Sequence, residues 1–245
     1  MRNPIDGTWR RRIHLLRHAE VTYIDAHGQR VADTLAVDLT EHGRGQAAAL
    51  GAMLAQTPID KVICSGLPRT RQTAEIVAAG RNLPIDELPA LDEIRSGARA
   101  QMPPDRVSWE AAYALWRAGE PEARFRNGER FDHFVTRIGQ GLAEILAQQD
   151  WNDLLLVLHG AVNRAILCWA LGTGLTSFPA LDQDFCCHNL IDIDVDAQGH
   201  IARKVVRAIN VTPYDIAKRE MKLTSSEKMV VDAVALLRPS AANNA

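Results

Sequence analysis

Short runs of aliphatic residues alternate along the chain with longer segments in which apolar residues recur every three or four positions. The aliphatic runs IHLL, DKVIC and LLLVLH begin at residues 13, 60 and 154, and each is followed by a helical pattern. Alternation of buried strands with helices is typical of βαβ units around a parallel sheet. The pattern predicts an α/β fold, a three-layer sandwich on a mostly parallel sheet.

Two of the predicted helices carry an apolar face long enough to cover that sheet. EHGRGQAAALGAMLAQ places Ala47, Leu50 and Leu54 on one face, and RFDHFVTRIGQGLAEILAQQ has an apolar stripe from Phe131 to Leu146. A stripe at helical spacing indicates the side of a helix that packs on the core. We interpret both segments as core helices.

The last third of the chain predicts an antiparallel edge and a terminal helix. After Asn189, LIDIDVDAQGHIARKVVRAI indicates two strands around a glycine turn. The tail LTSSEKMVVDAVALLRP predicts a helix over about 225–237, with a capping box of Thr224 and Glu227 and with Pro239 after its end. The sequence leaves open whether this helix packs on the core or on a second copy of the chain in a homodimer.

Residues 95–130 break the alternation of strands and helices. This segment is rich in Arg, Pro, Ala and Trp, and we interpret it as a helical insertion that covers one end of the sheet within a single domain, 1–245. Trp109, Tyr113 and Trp116 lie at helical spacing in the insertion. Aromatic residues in such a pattern are predicted to pack.

Net charge, the length of apolar runs and the spacing of cysteines limit the partners and the location that the sequence predicts. Lys and Arg number 28 against 30 for Asp and Glu, a formal net charge of -2, so no global field favours nucleic acid or an acidic membrane surface. The chain lacks the ~20-residue apolar run that spans a bilayer and the apolar core of a signal peptide, which predicts a cytoplasmic protein. The four cysteines, without CxxC spacing, are predicted to be buried free thiols.

Polar side chains follow three of the aliphatic runs at the point where each run ends. Arg17 and His18 follow IHLL, Arg69 follows VICSGLP, and His159 and Gly160 follow LLLVL. Ligands of open α/β sheets bind outside the carboxyl ends of the strands, so we expect these residues to converge. Guanidinium groups, imidazoles and the N–H groups of a helix that begins at Gly160 are suited to hold a phosphoryl group.

Within this set, His18 is the candidate nucleophile. Histidine forms covalent intermediates, and its neutral form is well populated near pH 7. Arg69 and Arg71 compete for the role of phosphate ligand, and we favour Arg69, with the other as a solvated helix charge. The remaining histidines belong to no convergent motif and are predicted to be structural or solvated: His14, His27, His42, His133, His188 and His200.

Five segments, in order, resemble motifs of the histidine phosphatase superfamily, which has the phosphoglycerate mutase-like fold. LLRHAE resembles a strand followed by Arg-His-Gly-Glu. DLTEHGRGQAAALG resembles Leu-Thr-x-x-Gly-x-x-Gln-Ala, and CSGLPRTRQTAEIV resembles Ser-x-Leu-x-Arg-x-x-Gln-Thr-Ala. LDEI resembles Leu-x-Glu, and VLHGAVNRAIL resembles Val-x-His-Gly-x-x-x-Arg. The likeness extends over roughly residues 13–210.

The resemblance implies a phosphatase with a small phosphorylated substrate and neither a metal nor another cofactor. It implies that His18 becomes phosphorylated, that Arg17, Arg69 and His159 bind the phosphoryl group, and that Glu93 donates a proton to the leaving group. Hydrolysis would follow when Glu93, as a carboxylate, activates water against the phosphohistidine.

Three departures from the family pattern leave alternatives open. Ala19 stands where the family usually has Gly, and the segment EVTYIDAHG offers no Asn for the phosphate. RSGARAQ replaces the common aromatic continuation after LDEI, so Asp92 is an alternative acid. Phosphoglycerate mutase-type transfer and a weakly catalytic phospho-ligand-binding protein are the other functions considered. The short insertion, which mixes glutamates with arginines, favours a phosphatase over a mutase.

Overall fold

The computed structural model describes residues 2–3, 5–97, 107–219 and 222–237. The strands are β1 (Trp9–Arg17), β2 (Lys61–Cys64), β3 (Ile85–Glu87), β4 (Asp153–Leu158), β5 (His188–Val195) and β6 (Ile201–Val211). They form one sheet in the order β3-β2-β4-β1-β5-β6. Strands β1 to β4 are parallel, whereas β5 runs antiparallel to β1 and β6 antiparallel to β5. The predicted mostly parallel sheet with an antiparallel edge is confirmed.

Helices cover both faces of this sheet. They are α1 (Glu41–Met53), α2 (Pro68–Val77), α3 (Val107–Tyr113), α4 (Phe131–Ala147), α5 (Gly160–Leu171) and α6 (Ser225–Leu237). Short 3-10 segments occupy Pro89–Leu91, Phe125–Asn127 and Gly174–Ala180. Helix α1 begins after Thr40, whose side-chain oxygen accepts a hydrogen bond from the Gly43 N–H and so caps the helix.

Two apolar clusters, one on each face, make the fold a three-layer sandwich. Successive strand residues point to opposite faces, so Leu15 of β1 joins one cluster and Leu16 joins the other. The first cluster contains the buried faces of α4 and α5, and the second contains those of α1 and α2. The predicted faces are confirmed, since Ala47, Leu50 and Leu54 are all buried.

The insertion differs from its prediction in how its aromatic residues are used. Trp109 and Trp116 are 44% and 65% exposed, so the prediction that they pack is wrong. Their rings flank that of Tyr113, with centroids 5.5 and 5.6 Å away. Helix α3 ends at Tyr113, and the chain then turns so that the small side chain of Ala118 enters the core in place of tryptophan. Residues 98–106 of the insertion lie outside the described part.

The terminal helix α6 begins with the predicted capping box. The Thr224 N–H donates to Glu227 Oε2 at 2.8 Å, and the Glu227 N–H donates to Thr224 Oγ1 at 3.3 Å. These bonds satisfy backbone donors that a helix start leaves open. Helix α6 packs against α3 of the same chain. Pro239 lies outside the described residues.

Two further predictions concern the state of the cysteines and the presence of membrane-spanning helices. Cys64, Cys168, Cys186 and Cys187 are buried free thiols, as predicted. Among the described residues, no helix has both the length and the apolar character needed to cross a membrane.

A buried histidine pair joins β1 to β5. The rings of His14 and His188 stack with centroids 5.2 Å apart, and His14 Nδ1 lies 3.1 Å from His188 Nε2. Burial, aided by the neighbouring His188, lowers the pKa of His14 from 6.5 to about 3. Burial, followed by the charge of Arg12, lowers the pKa of His188 to about 4. Both rings are therefore neutral in the folded protein near pH 7, which fits the structural role predicted for them.

This pair predicts a loss of stability in mild acid. The unfolded chain takes up protons below about pH 6.5, whereas the folded protein does not until its own lower pKa values are reached. The contribution of the two neutral histidines to the free energy of unfolding is fully present above pH 6.5. It is lost as the pH falls from there towards their folded-state pKa values of about 4 and 3. Between pH 7 and pH 5, we expect the free energy of unfolding of His14→Gln to fall by about 2 kcal/mol less than that of the wild type.

Urea unfolding at the two pH values measures this difference. The control is His133→Gln, because His133 is an exposed residue of α4. Its pH dependence should follow the wild type. Parallel curves for His14→Gln and the wild type would contradict the assignment of the acid sensitivity to this pair.

Candidate active site

Three adjacent strands bring the predicted site residues to one edge of the sheet. His18 follows β1, His159 follows β4, and Ser65 follows β2. The His18 N–H donates to the Leu158 carbonyl at 2.9 Å, which continues the β1–β4 pairing up to the site. The rings of His18 and His159 lie 5.3 Å apart between centroids, at 66° to each other. The structure thus brings the two predicted histidines together.

His18 is oriented and protonated as a nucleophile requires. Its side chain is 3% exposed, and its Nδ1 lies 2.8 Å from the Ala19 carbonyl oxygen. A carbonyl only accepts, so Nδ1 carries the hydrogen and Nε2 carries the free electron pair. Burial lowers the pKa of His18 well below its ordinary value, and the charge of Arg69 lowers it further. The ring is therefore neutral, with its Nε2 lone pair free to attack.

Ala19, which departs from the family pattern, has a packing role. Its side chain is fully buried in the apolar cluster beneath α1 and α2. Its N–H donates to Thr73 Oγ1 at 3.0 Å, and its carbonyl holds the His18 ring. The methyl group that replaces glycine thus packs in the core.

A chain of hydroxyl groups orients His159. His159 Nε2 lies 2.8 Å from Ser65 Oγ, which is 3.0 Å from Thr70 Oγ1. The Thr70 hydroxyl donates to the Leu67 carbonyl at 2.8 Å. This leaves His159 Nδ1 buried without a hydrogen-bond partner among the described residues. Burial and then the nearby charge of Arg69 lower the pKa of His159 well below its ordinary value.

The sequence interpretation did not include Ser65, although a signal for it exists. Ser65 directly follows β2, just as His18 and His159 directly follow their own strands. A polar residue at that point of a neighbouring parallel strand is expected at the same edge.

The Arg17 guanidinium group lies beside the start of α5. It stacks on the Phe185 ring, with the Arg17 Cζ 4.0 Å from the ring centroid, and Nη1 donates to the Gln183 carbonyl. A Cβ atom at Gly160 would lie 3.5 Å from Arg17 Nε. The guanidinium group therefore lies in contact range of the first residue of α5, where backbone N–H groups are available.

Arg69 and Arg71 occupy different environments. Arg69 is buried, and its Nη1 donates to the Thr34 and Leu35 carbonyls at 3.3 Å each. Arg71 is exposed and forms an ion pair with Glu87. Only a buried guanidinium beside the histidines is placed to contact a ligand there, so the geometry favours Arg69, as the sequence interpretation did.

Arg164 is a further buried cation that the sequence interpretation passed over. Its Nη2 donates to Asp182 Oδ1 at 3.0 Å, and its charge interacts with those of Arg17 and Glu93. The available signal is its position one helical turn after Gly160, inside the His-Gly-x-x-x-Arg motif.

The two candidate acids differ in their surroundings. Glu93 Oε1 accepts from the Ile94 N–H at 3.0 Å, and Oε2 accepts from the Ala161 N–H in the first turn of α5 at 3.4 Å. Asp92 Oδ1 is buried without a partner among the described residues, and burial raises the pKa of Asp92. Glu93 therefore lies at the start of α5, whereas the Asp92 carboxyl group interacts with Arg69 and Ser65.

Arg137 fixes the segment that carries both acids. Its Nη1 donates to the Ala90 carbonyl at 2.8 Å and to the Asp92 carbonyl at 2.9 Å. The rest of its guanidinium pairs with Glu129 at 3.0 Å. Because Arg137 belongs to α4, these bonds tie the acid-bearing turn to a core helix.

Four unpaired nitrogen atoms distinguish this site from an ordinary polar cluster. They are buried and have no hydrogen-bond partner in the described part of the chain: Arg17 Nε, Arg69 Nε, Arg164 Nε and His159 Nδ1. A buried polar group left unpaired costs about 1–3 kcal/mol. The three arginine Nε–H groups are donors with which an anion that has several acceptor oxygens would pair, whereas the neutral His159 ring carries a lone pair on Nδ1 while its Nε2–H donates to Ser65. In the described ranges, no group of three or more His, Cys, Asp or Glu side chains could hold a metal ion.

Comparison with known proteins identifies the family. The model of the histidine phosphatase superfamily (branch 1) matches residues 13–204, and the chain belongs to this superfamily.

Its relatives include phosphatases and a probable mutase. The chain is 32% identical over 199 residues to an adenosylcobalamin/alpha-ribazole phosphatase of Salmonella typhimurium, covering 80% of this chain and 96% of the relative. It is 30% identical over 164 residues to a probable phosphoglycerate mutase of Erwinia tasmaniensis, covering 65% and 74%. The crystal structure of a putative alpha-ribazole-5'-P phosphatase from Escherichia coli superposes with a TM-score of 0.65 at 27% identity, covering 82% and 96%.

Proposed function

We propose that this chain is a phosphomonoester hydrolase that acts through a phosphohistidine at His18 on a small phosphorylated metabolite. One observation carries the proposal: the unpaired Nε–H donors of two buried arginines, Arg17 and Arg69, lie near a neutral histidine, His18. Unpaired cationic donors favour a phosphate dianion, and a neutral imidazole is the form that attacks it.

In the first step, His18 Nε2 attacks phosphorus and the bond to the leaving oxygen breaks. The Ala19 carbonyl holds the Nδ1 hydrogen and so stabilises the positive charge that develops on the ring. Arg17 and Arg69 would meet the charge on the phosphoryl oxygens, and His159 would join them when its Nδ1 carries a proton. Glu93 would give its proton to the leaving alkoxide, so that the alcohol departs neutral.

In the second step, the same carboxyl group acts in reverse. Glu93, now a carboxylate, takes a proton from a water molecule, whose oxygen forms a bond to phosphorus while the P–N bond breaks. Inorganic phosphate leaves, His18 is again neutral, and Glu93 again carries a proton. Fixed side-chain cations perform the charge stabilisation that Mg²⁺ supplies in other phosphoryl-transfer enzymes, so we propose that hydrolysis requires no metal.

The first candidate substrate is α-ribazole 5'-phosphate. This choice rests on the names of two relatives that the chain matches over most of their length. Fold alone does not select a substrate, so the choice is a proposal about the leaving group and not about the phosphate pocket.

A substrate panel tests this function. In the presence of a chelator, we expect phosphate release from an aryl phosphate and a kcat/KM at least about tenfold higher for α-ribazole 5'-phosphate. Interconversion of 2- and 3-phosphoglycerate would instead identify a mutase. Stabilisation by phosphate or vanadate without any turnover would identify a binding protein, and loss of turnover on chelation would contradict the metal-free mechanism.

A further inference from the structure

Helix α6 lies over the candidate active site, in a part of the chain that the family motifs do not reach. The family model ends at residue 204, whereas α6 covers Ser225–Leu237. The Met229 Sδ atom lies 4.0 Å from Arg17 Nη2. Thioether sulfur is a weak hydrogen-bond acceptor. A phosphoryl oxygen at the same position would accept a much stronger hydrogen bond from Arg17 Nη2.

The contact involves the edge of Arg17 that remains available to a ligand. Nη1 is already bonded to the Gln183 carbonyl, while Nε has no partner in the described part of the chain. Nε and Nη2 form one edge of the planar guanidinium group, the edge that binds an oxyanion through two parallel hydrogen bonds. Binding of a phosphoryl group to both nitrogens therefore requires Met229 to move.

The start of α6 is tied to the site through Asp182 and Arg164. The Ser225 N–H and hydroxyl donate to the Asp182 carboxylate at 3.1 and 3.0 Å. The same carboxylate pairs with Arg164, whose charge interacts with that of Glu93, the proposed acid. The first turn of α6 is thus linked through Asp182 to a cation that interacts with the proposed acid.

The attachment of α6 is weak enough to release. In its first turn, a Tyr113 hydroxyl bond to Glu227 Oε1 at 2.9 Å connects it to α3. Apolar residues in its C-terminal half remain largely in solvent, with Val231 and Leu236 53% and 58% exposed, whereas Met229 and Val230 are half-buried. Elements with few buried apolar contacts open at low cost in free energy. His18, by contrast, is 3% exposed, so substrate access requires some element to move.

We propose that α6 selects which phosphomonoesters reach His18, with Met229 as the residue that contacts the leaving group. The helix covers the site in the ligand-free protein and moves aside or repacks around the substrate. A leaving group that fits beneath α6 leaves the contacts between this helix and the rest of the protein in place. A larger leaving group can bind only when those contacts are broken. The inference rests on the proposed function, but the covering of His18 by α6 can be measured without any turnover.

The test compares full-length Met229→Ala and Tyr113→Phe with Asp232→Asn. The first variant shortens the side chain against Arg17, and the second removes the bond that ties α6 to α3. The control removes the exposed pair between Lys228 and Asp232 on the same helix. Each protein is treated with diethyl pyrocarbonate, and modification of His18 is followed by peptide mass spectrometry.

We expect His18 to be modified several-fold faster in Met229→Ala and Tyr113→Phe than in the wild type, and at the wild-type rate in Asp232→Asn. With substrates, Met229→Ala should raise the kcat/KM of a nucleoside 5'-monophosphate about tenfold relative to that of a small aryl phosphate. Unchanged modification rates in both variants would overturn the proposal. Faster modification without turnover of any substrate would refute the proposed hydrolase and retain the covering helix.

Discussion

Replacing His18 by alanine is expected to lower kcat for every phosphomonoester substrate by at least about 10⁴-fold. The variant lacks the Nε2 lone pair that forms the bond to phosphorus, and water would have to attack without an activated nucleophile. The arginines and His159 remain, so inorganic phosphate should still raise the thermal stability of the variant. Kinetics of phosphate release, together with thermal unfolding in phosphate, would measure both effects.

The matched control for this prediction is His133→Ala. His133 is an exposed residue of α4 and has no role in the proposed mechanism. Its kcat should equal that of the wild type. A His18→Ala enzyme that retains more than a few per cent of the wild-type rate would show that another group attacks phosphorus.

Replacing Glu93 by glutamine is expected to lower kcat for an alkyl phosphate by about 10²–10⁴-fold. An alkoxide is a poor leaving group and needs the proton, whereas a nitrophenolate departs without one. The first step should therefore be nearly normal with a nitrophenyl phosphate. The second step should be slow with either substrate, because Glu93 also activates the water. A burst of nitrophenol followed by slow turnover is the expected time course.

Asp92→Asn separates the two candidate acids. Asp92 is the direct neighbour of Glu93, but its Oδ1 is buried without a partner in the described residues, whereas Glu93 accepts a hydrogen bond from the first turn of α5. We expect this variant to slow alkyl and aryl phosphates equally and to show no burst. Leaving-group dependence in Asp92→Asn, with none in Glu93→Gln, would assign the acid to Asp92.

The fold and the main site residues could be predicted because both depend on short-range patterns. Short aliphatic runs mark buried strands, and apolar residues that recur every three or four positions mark helices. The rule that ligands bind at the carboxyl ends of parallel strands then converts positions in the sequence into positions in space. His18 and His159 were accessible to this reasoning because each directly follows an aliphatic strand, and Arg69 because it opens the next helix.

Other features depend on contacts between distant segments, which no local pattern encodes. The bond from Ser65 to His159 spans 94 residues, and the contact between Arg17 and Met229 spans 212. The amphipathic pattern predicted that α6 is a helix, and its capping box predicted where it begins. Neither could tell which surface the helix covers. The exposure of Trp109 was missed because α3 contributes no buried residue, which the helical spacing of its aromatic residues does not reveal.

The most direct test of a phosphohistidine mechanism is to trap the intermediate on His18. Glu93→Gln would be mixed with a nitrophenyl phosphate, quenched in base during the slow phase, and examined by intact-mass and peptide mass spectrometry. We predict one phosphoryl group per chain, located on His18 and released by acid, as expected of a phosphoramidate. Turnover without an adduct on His18, or an adduct on another residue, would contradict the mechanism.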